Sequence, residues 1–159
     1  SGDIIYVSGG NTKAMMEKWK ETGVDDLLRE AYENGTVMSG LSAGAICWFK
    51  YGHSDSESYE NDDEWDFIKV EGLNIIGDII FCPHYHSEDR ESGFQEMMNG
   101  EEKTGLAVND NAAVKIVDGE LEEITSGDEG KVYIFNDGEK SELIENQKIR
   151  LELLENQQL

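Results

Sequence analysis

A short apolar strand followed by a glycine turn and a helix occurs twice in the first fifty residues, and this repeat constrains the fold strongly. The run Ile4–Val7 leads into paired glycines in residues 8–12, and the run 36–39 leads into residues 40–44, which also contain two glycines. A helical pattern follows each turn. Repeated strand–turn–helix units are typical of a parallel sheet, so the sequence predicts an α/β fold.

The remaining elements follow from periodicity and turn residues. The sequence predicts a first helix around Met15, Met16 and Trp19 and a second over 25–34. A third helix is expected from the second glycine turn through Phe49 and a fourth over 87–99, and a further strand is expected over 78–82. Short strands are expected over 105–108, 112–117, 120–124 and 131–135, with Asp118-Gly119 and Asp137-Gly138 as hairpin turns. The C-terminal third is therefore predicted to be mostly antiparallel β, and residues 148–159 support no assignment.

The charge balance excludes several partners. The 159 residues carry 13 Lys and Arg against 35 Asp and Glu, a formal net charge of −22. Phosphate backbones and anionic membrane surfaces would repel such a chain, so we expect no nucleic-acid or membrane partner. The length indicates a single domain over residues 1–159. No apolar run reaches a membrane span and no signal peptide is visible, so a cytoplasmic location is expected.

Two other features are interpreted structurally. Cys47 and Cys82 lie in apolar contexts and are predicted to be buried free thiols. Residues 51–66 are polar and strongly acidic, and we interpret most of this segment as a solvated loop.

The run Gly40-Leu41-Ser42-Ala43-Gly44 fits the Gly-x-Ser-x-Gly pattern of a nucleophile elbow, between a predicted strand and a predicted helix. A serine needs a base, normally histidine. His84 follows an apolar strand directly, where α/β sheets gather active-site groups, and is the favoured base. His86 is the alternative, and His53 is interpreted as an ordinary surface residue.

A carboxylate should orient the histidine, and stabilisation of the oxyanion requires backbone N–H donors. Asp55, Glu57 and Glu60 lie between the serine and the histidine and are the candidate acids. The amide of Ala43 and one from the first glycine turn, Gly10, are the expected donors. The spacing of 42 residues between serine and histidine disfavours an α/β-hydrolase fold.

Three ordered motifs together resemble the dipeptidase E and cyanophycinase family of serine peptidases. They are Ser8-Gly9-Gly10-Asn11-Thr12, then Gly40 to Ala45 followed by Ile-Cys-Trp-Phe, then Cys82-Pro83-His84-Tyr85 with Arg90 six residues after the histidine. The resemblance extends from Ile4 to about Val117. It implies a flavodoxin-like, mostly parallel sheet related to class I glutamine amidotransferases.

The resemblance also implies roles for single residues. Ser42 corresponds to the nucleophile, His84 to the base and Asp55 to the best-matching acid, with Glu57 or Glu60 as alternatives. Arg90 resembles an arginine that holds a substrate aspartate, although a surface ion pair is an alternative interpretation. Asn11, in the Gly-Gly-Asn-Thr turn, is a further expected substrate contact. Relatives of this kind carry an N-terminal βαβ portion that this chain lacks, so we expect a truncated domain.

The leading hypothesis is a serine exopeptidase that hydrolyses short peptides through an acyl-enzyme, without cofactor or metal. The alternative is an inactive, peptidase-like homologue or fragment that acts in binding or assembly, and a homodimer is an open possibility. An amidotransferase-like hydrolase would need cysteine at the position of Ser42 and is disfavoured. His84, His86 and Asp89 have metal-ligand types but no established metal spacing.

Overall fold

The computed structural model describes residues 3–61, 64–87, 90–144 and 147–155. These form an α/β structure whose contacts divide into two compact units, Ser1–Ile76 and Gly77–Leu159. The single domain expected over residues 1–159 stays a prediction. No helix among the described residues is long and apolar enough to cross a membrane.

The first unit contains the two predicted strand–turn–helix repeats. Its elements in chain order are β1 (Ile4–Val7), α1 (Thr12–Thr22), α2 (Val24–Glu33), β2 (Val37–Gly40), α3 (Ala43–Ile46), β3 (Tyr51–Ser54), a 3₁₀ turn (Ser56–Tyr59) and β4 (Ile68–Glu71). Strands β1 and β2 pair in parallel, from Ile4 with Val37 to Val7 with Gly40. Strands β3 and β4 pair antiparallel.

Local capping explains where α1 begins and ends. The side chain of Asn11 accepts a hydrogen bond from the amide of Ala14 at 3.0 Å, which satisfies one free N–H of the first turn. Gly23 follows the helix at φ 74° and donates its amide to the carbonyl of Trp19. A left-handed residue at this position stops an α-helix and suits glycine.

One face of the β1–β2 pair is open to solvent. Ile4, Tyr6 and Val37 are 64%, 62% and 56% exposed. Ile4 and Val37 lie opposite one another, and Tyr6 is two residues further along the same face of β1. Parallel sheets normally have both faces covered, so this apolar face is unusual.

The second unit combines one parallel pair with antiparallel strands. Its elements are β5 (Ile79–Cys82), α4 (Arg90–Met98), β6 (Thr104–Val108), β7 (Ala112–Val117), β8 (Glu120–Thr125), β9 (Val132–Asn136), β10 (Glu139–Glu142), β11 (Lys148–Arg150) and α5 (Leu151–Glu155). β5 pairs with β6 in parallel, and β6–β9 and β9–β10 are antiparallel. β7, β8 and β11 form a separate antiparallel sheet.

The core of this unit is aliphatic and aromatic. All four residues of β5 are buried, and Phe94 of α4 packs edge-to-face on Phe135 of β9 with ring centroids 5.1 Å apart. Both predicted hairpin turns are confirmed, with Asp118 and Gly119 at φ 51° and 76° and Asp137 and Gly138 at 50° and 79°. Two consecutive positive φ values are the signature of the type I′ hairpin turn.

Three expectations from the sequence need correction. The acidic segment is not a plain solvated loop, because it contains β3 and the 3₁₀ turn, and residues 52–54 and 56 are buried. The helix after Ser42 ends at Ile46 and does not reach Phe49. His53 is not a surface residue: it is fully buried and stacks on Phe67 at 4.4 Å.

The cysteine prediction is confirmed. Cys47 and Cys82 are free thiols and both are fully buried. Burial raises the pKa of each thiol, because the thiolate is poorly solvated in an apolar interior. Neither group is therefore suited to act as a nucleophile.

Candidate active site

Ser42 occupies a strained backbone position between β2 and α3. Its φ of 55° and ψ of −120° lie outside the regions that residues with a side chain normally adopt. Such conformations cost about 1–3 kcal/mol and persist where the surrounding structure enforces them, often at functional sites. Here the amide of Leu41 donates to the carbonyl of Val7 at 3.1 Å and ties the elbow to the end of β1.

The glycines around Ser42 are required by close packing. A methyl group at Gly44 would overlap the carbonyl of Val7, and one at Gly40 would overlap the carbonyl of Gly44. A Cβ at Gly9 would lie 3.3 Å from the Cβ of Ser42 and 3.8 Å from its Oγ. The first glycine turn therefore lies directly beside the serine, within the same unit.

Replacing Gly44 by alanine should destabilise the first unit by about 3 kcal/mol or more, because the new methyl must displace backbone rather than a flexible side chain. Urea unfolding followed by circular dichroism measures the effect. Gly119→Ala is the control, since Gly119 has φ 76° and open space, so this variant carries only backbone strain of about 1–2 kcal/mol. Equal losses in the two variants would contradict the packing argument.

Two backbone amides belong to the turns around Ser42, that of Gly10 in the first glycine turn and that of Ala43 directly after the serine. Across the described parts of the chain, neither the N–H of Gly10 nor that of Ala43 donates a hydrogen bond. Gly10 has φ 151°, a conformation that glycine adopts readily. These are the two donors that the sequence predicts for an oxyanion.

His84 lies in the second unit, two residues beyond the end of β5, with a positive φ of 51°. Its Nδ1 is 2.6 Å from Oδ1 of Asp110. An ionised carboxylate only accepts hydrogen bonds, so Nδ1 carries the proton, and in the neutral form of the ring Nε2 keeps its lone pair. This is the tautomer that a general base requires.

Asp110 follows β6, the parallel neighbour of β5, and two contacts hold it beside the histidine turn. The amide of Tyr85 donates to the carbonyl of Val108 at 3.0 Å, and the hydroxyl of Ser87 donates to Oδ2 of Asp110 at 2.7 Å. The Ser87 hydrogen bond, followed by the one from His84, lowers the pKa of Asp110 below its ordinary value. The carboxylate is therefore ionised at neutral pH.

The predicted acids lie in the first unit. Asp55 directly precedes the 3₁₀ turn, and its carbonyl accepts from the amide of Ser58 at 2.9 Å. Glu57 accepts from the amide of Asp66 at 3.4 Å, and Glu60 lies 4.0 Å from Lys13. The role of these carboxylates as the catalytic acid stays a prediction. Among the described residues, the carboxylate that contacts Nδ1 of His84 is that of Asp110.

Of the two predicted substrate contacts, Asn11 has structural partners and Arg90 is buried. Asn11 caps α1 and donates its side-chain amide to the carbonyl of Ser56 at 3.4 Å. Arg90 is only 1% exposed, so its interpretation as a surface ion pair is wrong. The hydrogen bonds from Ser87 and His84 are the main causes of the lowered pKa of Asp110, and the charge of Arg90 adds a smaller contribution.

The alternative base, His86, is engaged on both ring nitrogens. Nδ1 lies 3.2 Å from Glu91 and Nε2 lies 3.2 Å from the hydroxyl of Tyr133. Of the three side chains with metal-ligand types, His84, His86 and Asp89, the last lies outside the described residues. Among the residues that are described, no group of three or more metal-ligating side chains occurs.

Sequence reasoning missed Asp110 and Ser87, although a signal for Asp110 was present. Asn109-Asp110-Asn111 follows the predicted strand 105–108, just as His84 follows the predicted strand 78–82. The carboxyl ends of adjacent parallel strands meet at one edge of a sheet. The candidate acids that the sequence indicates all lie between Ser42 and His84, whereas Asp110 follows His84 in the chain.

The fold is that of an α/β protein with mixed sheets. The crystal structure of a peptidase from an acI-B1 Actinobacterium is similar, with a TM-score of 0.70 and 18% identity, over 94% of this chain and 59% of that chain. A model of peptidase family S51 matches residues 1–124. The chain belongs to peptidase family S51, which confirms the resemblance found in the sequence.

Curated relatives carry peptidase names. The uncharacterized peptidase YgaJ of Bacillus subtilis is 38% identical over 134 residues, which are 82% of this chain and 55% of the relative. The uncharacterized peptidase Lin0382 of Listeria innocua is 46% identical over 86 residues, 54% of this chain and 40% of the relative. Peptidase E of Haemophilus influenzae is 42% identical over 43 residues, 27% of this chain and 20% of the relative. The chain thus spans about half the length of the first two relatives.

Proposed function

We propose that the chain is the catalytic part of a serine exopeptidase that hydrolyses short peptides through an acyl-enzyme. The observation that carries the proposal is the strained backbone of Ser42 at φ 55°, in a chain that belongs to a peptidase family. Two backbone N–H groups in the turns around Ser42 donate no hydrogen bond within the described residues, which supports it. A flavodoxin-like sheet and a cytoplasmic location are parts of the same proposal.

The chemistry assigns one task to each group. Ser42 Oγ attacks the peptide carbonyl while its proton passes to Nε2 of His84, and the N–H groups of Gly10 and Ala43 bind the oxyanion. The C–N bond then breaks, and the leaving amine takes the proton from His84. A water molecule, deprotonated by His84, hydrolyses the acyl-enzyme and releases Ser42.

For the third member of the triad, we propose Asp110 in place of Asp55. Two observations support this role for Asp110: its Oδ1 lies 2.6 Å from Nδ1 of His84, and its pKa is lowered. An ionised carboxylate there fixes the tautomer of His84 and stabilises the imidazolium that forms during the reaction. The arrangement requires that Nε2 of His84 reach Ser42 Oγ in the active protein.

Short peptides with a free amino terminus are the proposed substrates. The acidic segment offers the carboxylates of Glu57 and Glu60, which are candidates for binding an α-ammonium group. The net charge of −22 would attract a cationic terminus and repel a strongly anionic peptide.

The direct test is hydrolysis of a dipeptide and tripeptide library by this chain, with blocked N-acetyl peptides as matched controls. We expect release of free amino acids from the unblocked peptides and much slower cleavage of the acetylated ones. Equal cleavage of both sets would contradict the amino-terminal specificity. Absence of any hydrolysis, together with absence of fluorophosphonate labelling, would contradict the peptidase proposal.

A second candidate function is a non-catalytic binding or assembly unit that forms a homodimer. The exposed apolar face formed by Ile4, Tyr6 and Val37 favours it. This candidate predicts no serine reactivity and a molecular mass, by sedimentation equilibrium, that falls to the monomer value when Tyr6 is replaced by lysine.

A further inference from the structure

Both oxygens of the Asp110 carboxylate are engaged, each by a different side chain. Oδ1 lies 2.6 Å from Nδ1 of His84, and Oδ2 accepts from the hydroxyl of Ser87 at 2.7 Å. Hydrogen bonds of this length to an ionised acceptor are among the stronger ones in proteins. Together the two donors define the plane of the carboxylate.

Ser87 belongs to the same turn as the histidine. Its amide donates to the carbonyl of His84 at 2.8 Å, and its carbonyl accepts from the amide of Arg90 at 3.0 Å, at the start of α4. The serine hydroxyl is therefore carried by the same hydrogen-bonded turn as the imidazole. Any movement of His84 relative to Asp110 would disturb both side-chain hydrogen bonds.

A second hydrogen bond matters because a carboxylate rotates easily about its last bond. That torsion has broad minima, and the side chain of Asp110 is 56% exposed. Without the Ser87 hydroxyl, Oδ2 would be solvated by water and the carboxylate would turn away from Nδ1 for part of the time. The hydroxyl of Ser87 therefore restricts the orientation that matters for the base.

We propose that Ser87 is a positioning residue, whose hydroxyl holds Asp110 in the orientation that keeps Oδ1 on Nδ1 of His84. Ser87 acts through Asp110 and has no assigned contact with substrate. The inference rests on the proposed function, since it assumes that His84 is the base.

The test compares Ser87→Ala with Ser87→Thr, which retains the hydroxyl. We expect Ser87→Ala to lower kcat about 10- to 100-fold with little change in KM, the scale of losing one hydrogen bond to a charged group. Ser87→Thr should recover most of the activity. Ser141→Ala is the matched control, because the hydroxyl of Ser141 donates to the strand carbonyl of Ile134 in the same unit.

A second measurement does not depend on turnover. The Ser87 hydrogen bond is the first cause of the lowered pKa of Asp110, ahead of the bond from His84. Its loss favours the protonated acid, so Ser87→Ala should raise the pKa of Asp110, as measured by carbon NMR of the labelled carboxyl. The acid limb of the kcat profile should move to higher pH in the same variant.

The outcomes separate this inference from the function on which it rests. A wild-type chain that neither hydrolyses peptides nor reacts with a fluorophosphonate overturns the proposed function and the inference with it. An active wild-type chain beside a Ser87→Ala variant with unchanged kcat and unchanged Asp110 titration overturns the inference alone. A loss of activity without a shift of the titration, and without rescue by threonine, also overturns it.

Discussion

Replacing Ser42 by alanine should lower kcat for short peptides by about 10⁶-fold and abolish labelling by fluorophosphonates, the loss typical of a serine nucleophile. The reason is that Ser42 Oγ is the attacking atom in the proposed mechanism. The two thiols are buried and their pKa values are raised. Residual hydrolysis would come from binding and the oxyanion donors alone.

The Ser42→Ala variant should remain folded, so the loss can be attributed to chemistry. Alanine keeps the Cβ, and Oγ of Ser42 makes no hydrogen bond within the described residues. The strained φ of 55° is the same for either side chain. Thermal unfolding should therefore differ little from the wild type.

Ser39→Ala, three residues upstream on β2, is the matched control and should keep both activity and labelling. Mass spectrometry of the labelled protein should place the phosphonyl group on Ser42. Labelling that persists in Ser42→Ala would show that the nucleophile is a different residue.

Replacing Asp110 by asparagine should lower kcat about 10³- to 10⁴-fold, the scale of losing the carboxylate in a serine–histidine triad. An asparagine amide can present an N–H to Nδ1, which stabilises the wrong tautomer and leaves Nε2 protonated. It also lacks the charge that stabilises the imidazolium. Steady-state kinetics across pH measure both effects.

Asp55→Asn is the decisive companion, because Asp55 is the acid that the family resemblance favours. If Asp110 is the acid, Asp55→Asn should retain activity within a few fold. A large loss in Asp55→Asn beside an active Asp110→Asn would restore Asp55 to the role and overturn the assignment of Asp110.

The lowered pKa of Asp110 also has a consequence for stability. A carboxyl whose pKa is lower in the folded state stabilises the fold above its unfolded pKa, and this contribution is lost as the pH falls through the folded value. Because the side chain is 56% exposed, solvent screening keeps the contribution small. Asp110→Asn should therefore flatten the acid side of the stability profile without changing stability at neutral pH by much.

Local patterns predicted most of the regular elements. The strand expected over 112–117 is β7 (Ala112–Val117), and the helix expected over 25–34 differs from α2 (Val24–Glu33) by one residue at each end. These elements have strong apolar periodicity and explicit turn residues at their ends. Short-range preferences are sufficient to define them.

The prediction of a solvated loop for the acidic segment was wrong because the residues that stabilise this segment are distant from it in the sequence. The hydroxyl of Ser54 contacts that of Thr12 at 3.1 Å, and Ser56 Oγ accepts from the amide of Lys13 at 3.0 Å. Partners more than forty residues away hold Ser54 of the strand and Ser56 of the 3₁₀ turn in buried positions, although both side chains are polar. Hydropathy along the chain does not report such bonds.

For the candidate site, the sequence identifies Ser42 and His84 because each depends on local geometry, a glycine-flanked turn in one case and a strand end in the other. The partner of His84 depends on strand pairing. The parallel register of β5 and β6 aligns Cys82 with Ala107 and brings the segments that follow both strands to one edge. Asp110 meets Nδ1 of His84 there because hydrogen bonding between strands, rather than proximity in sequence, sets which polar ends are neighbours.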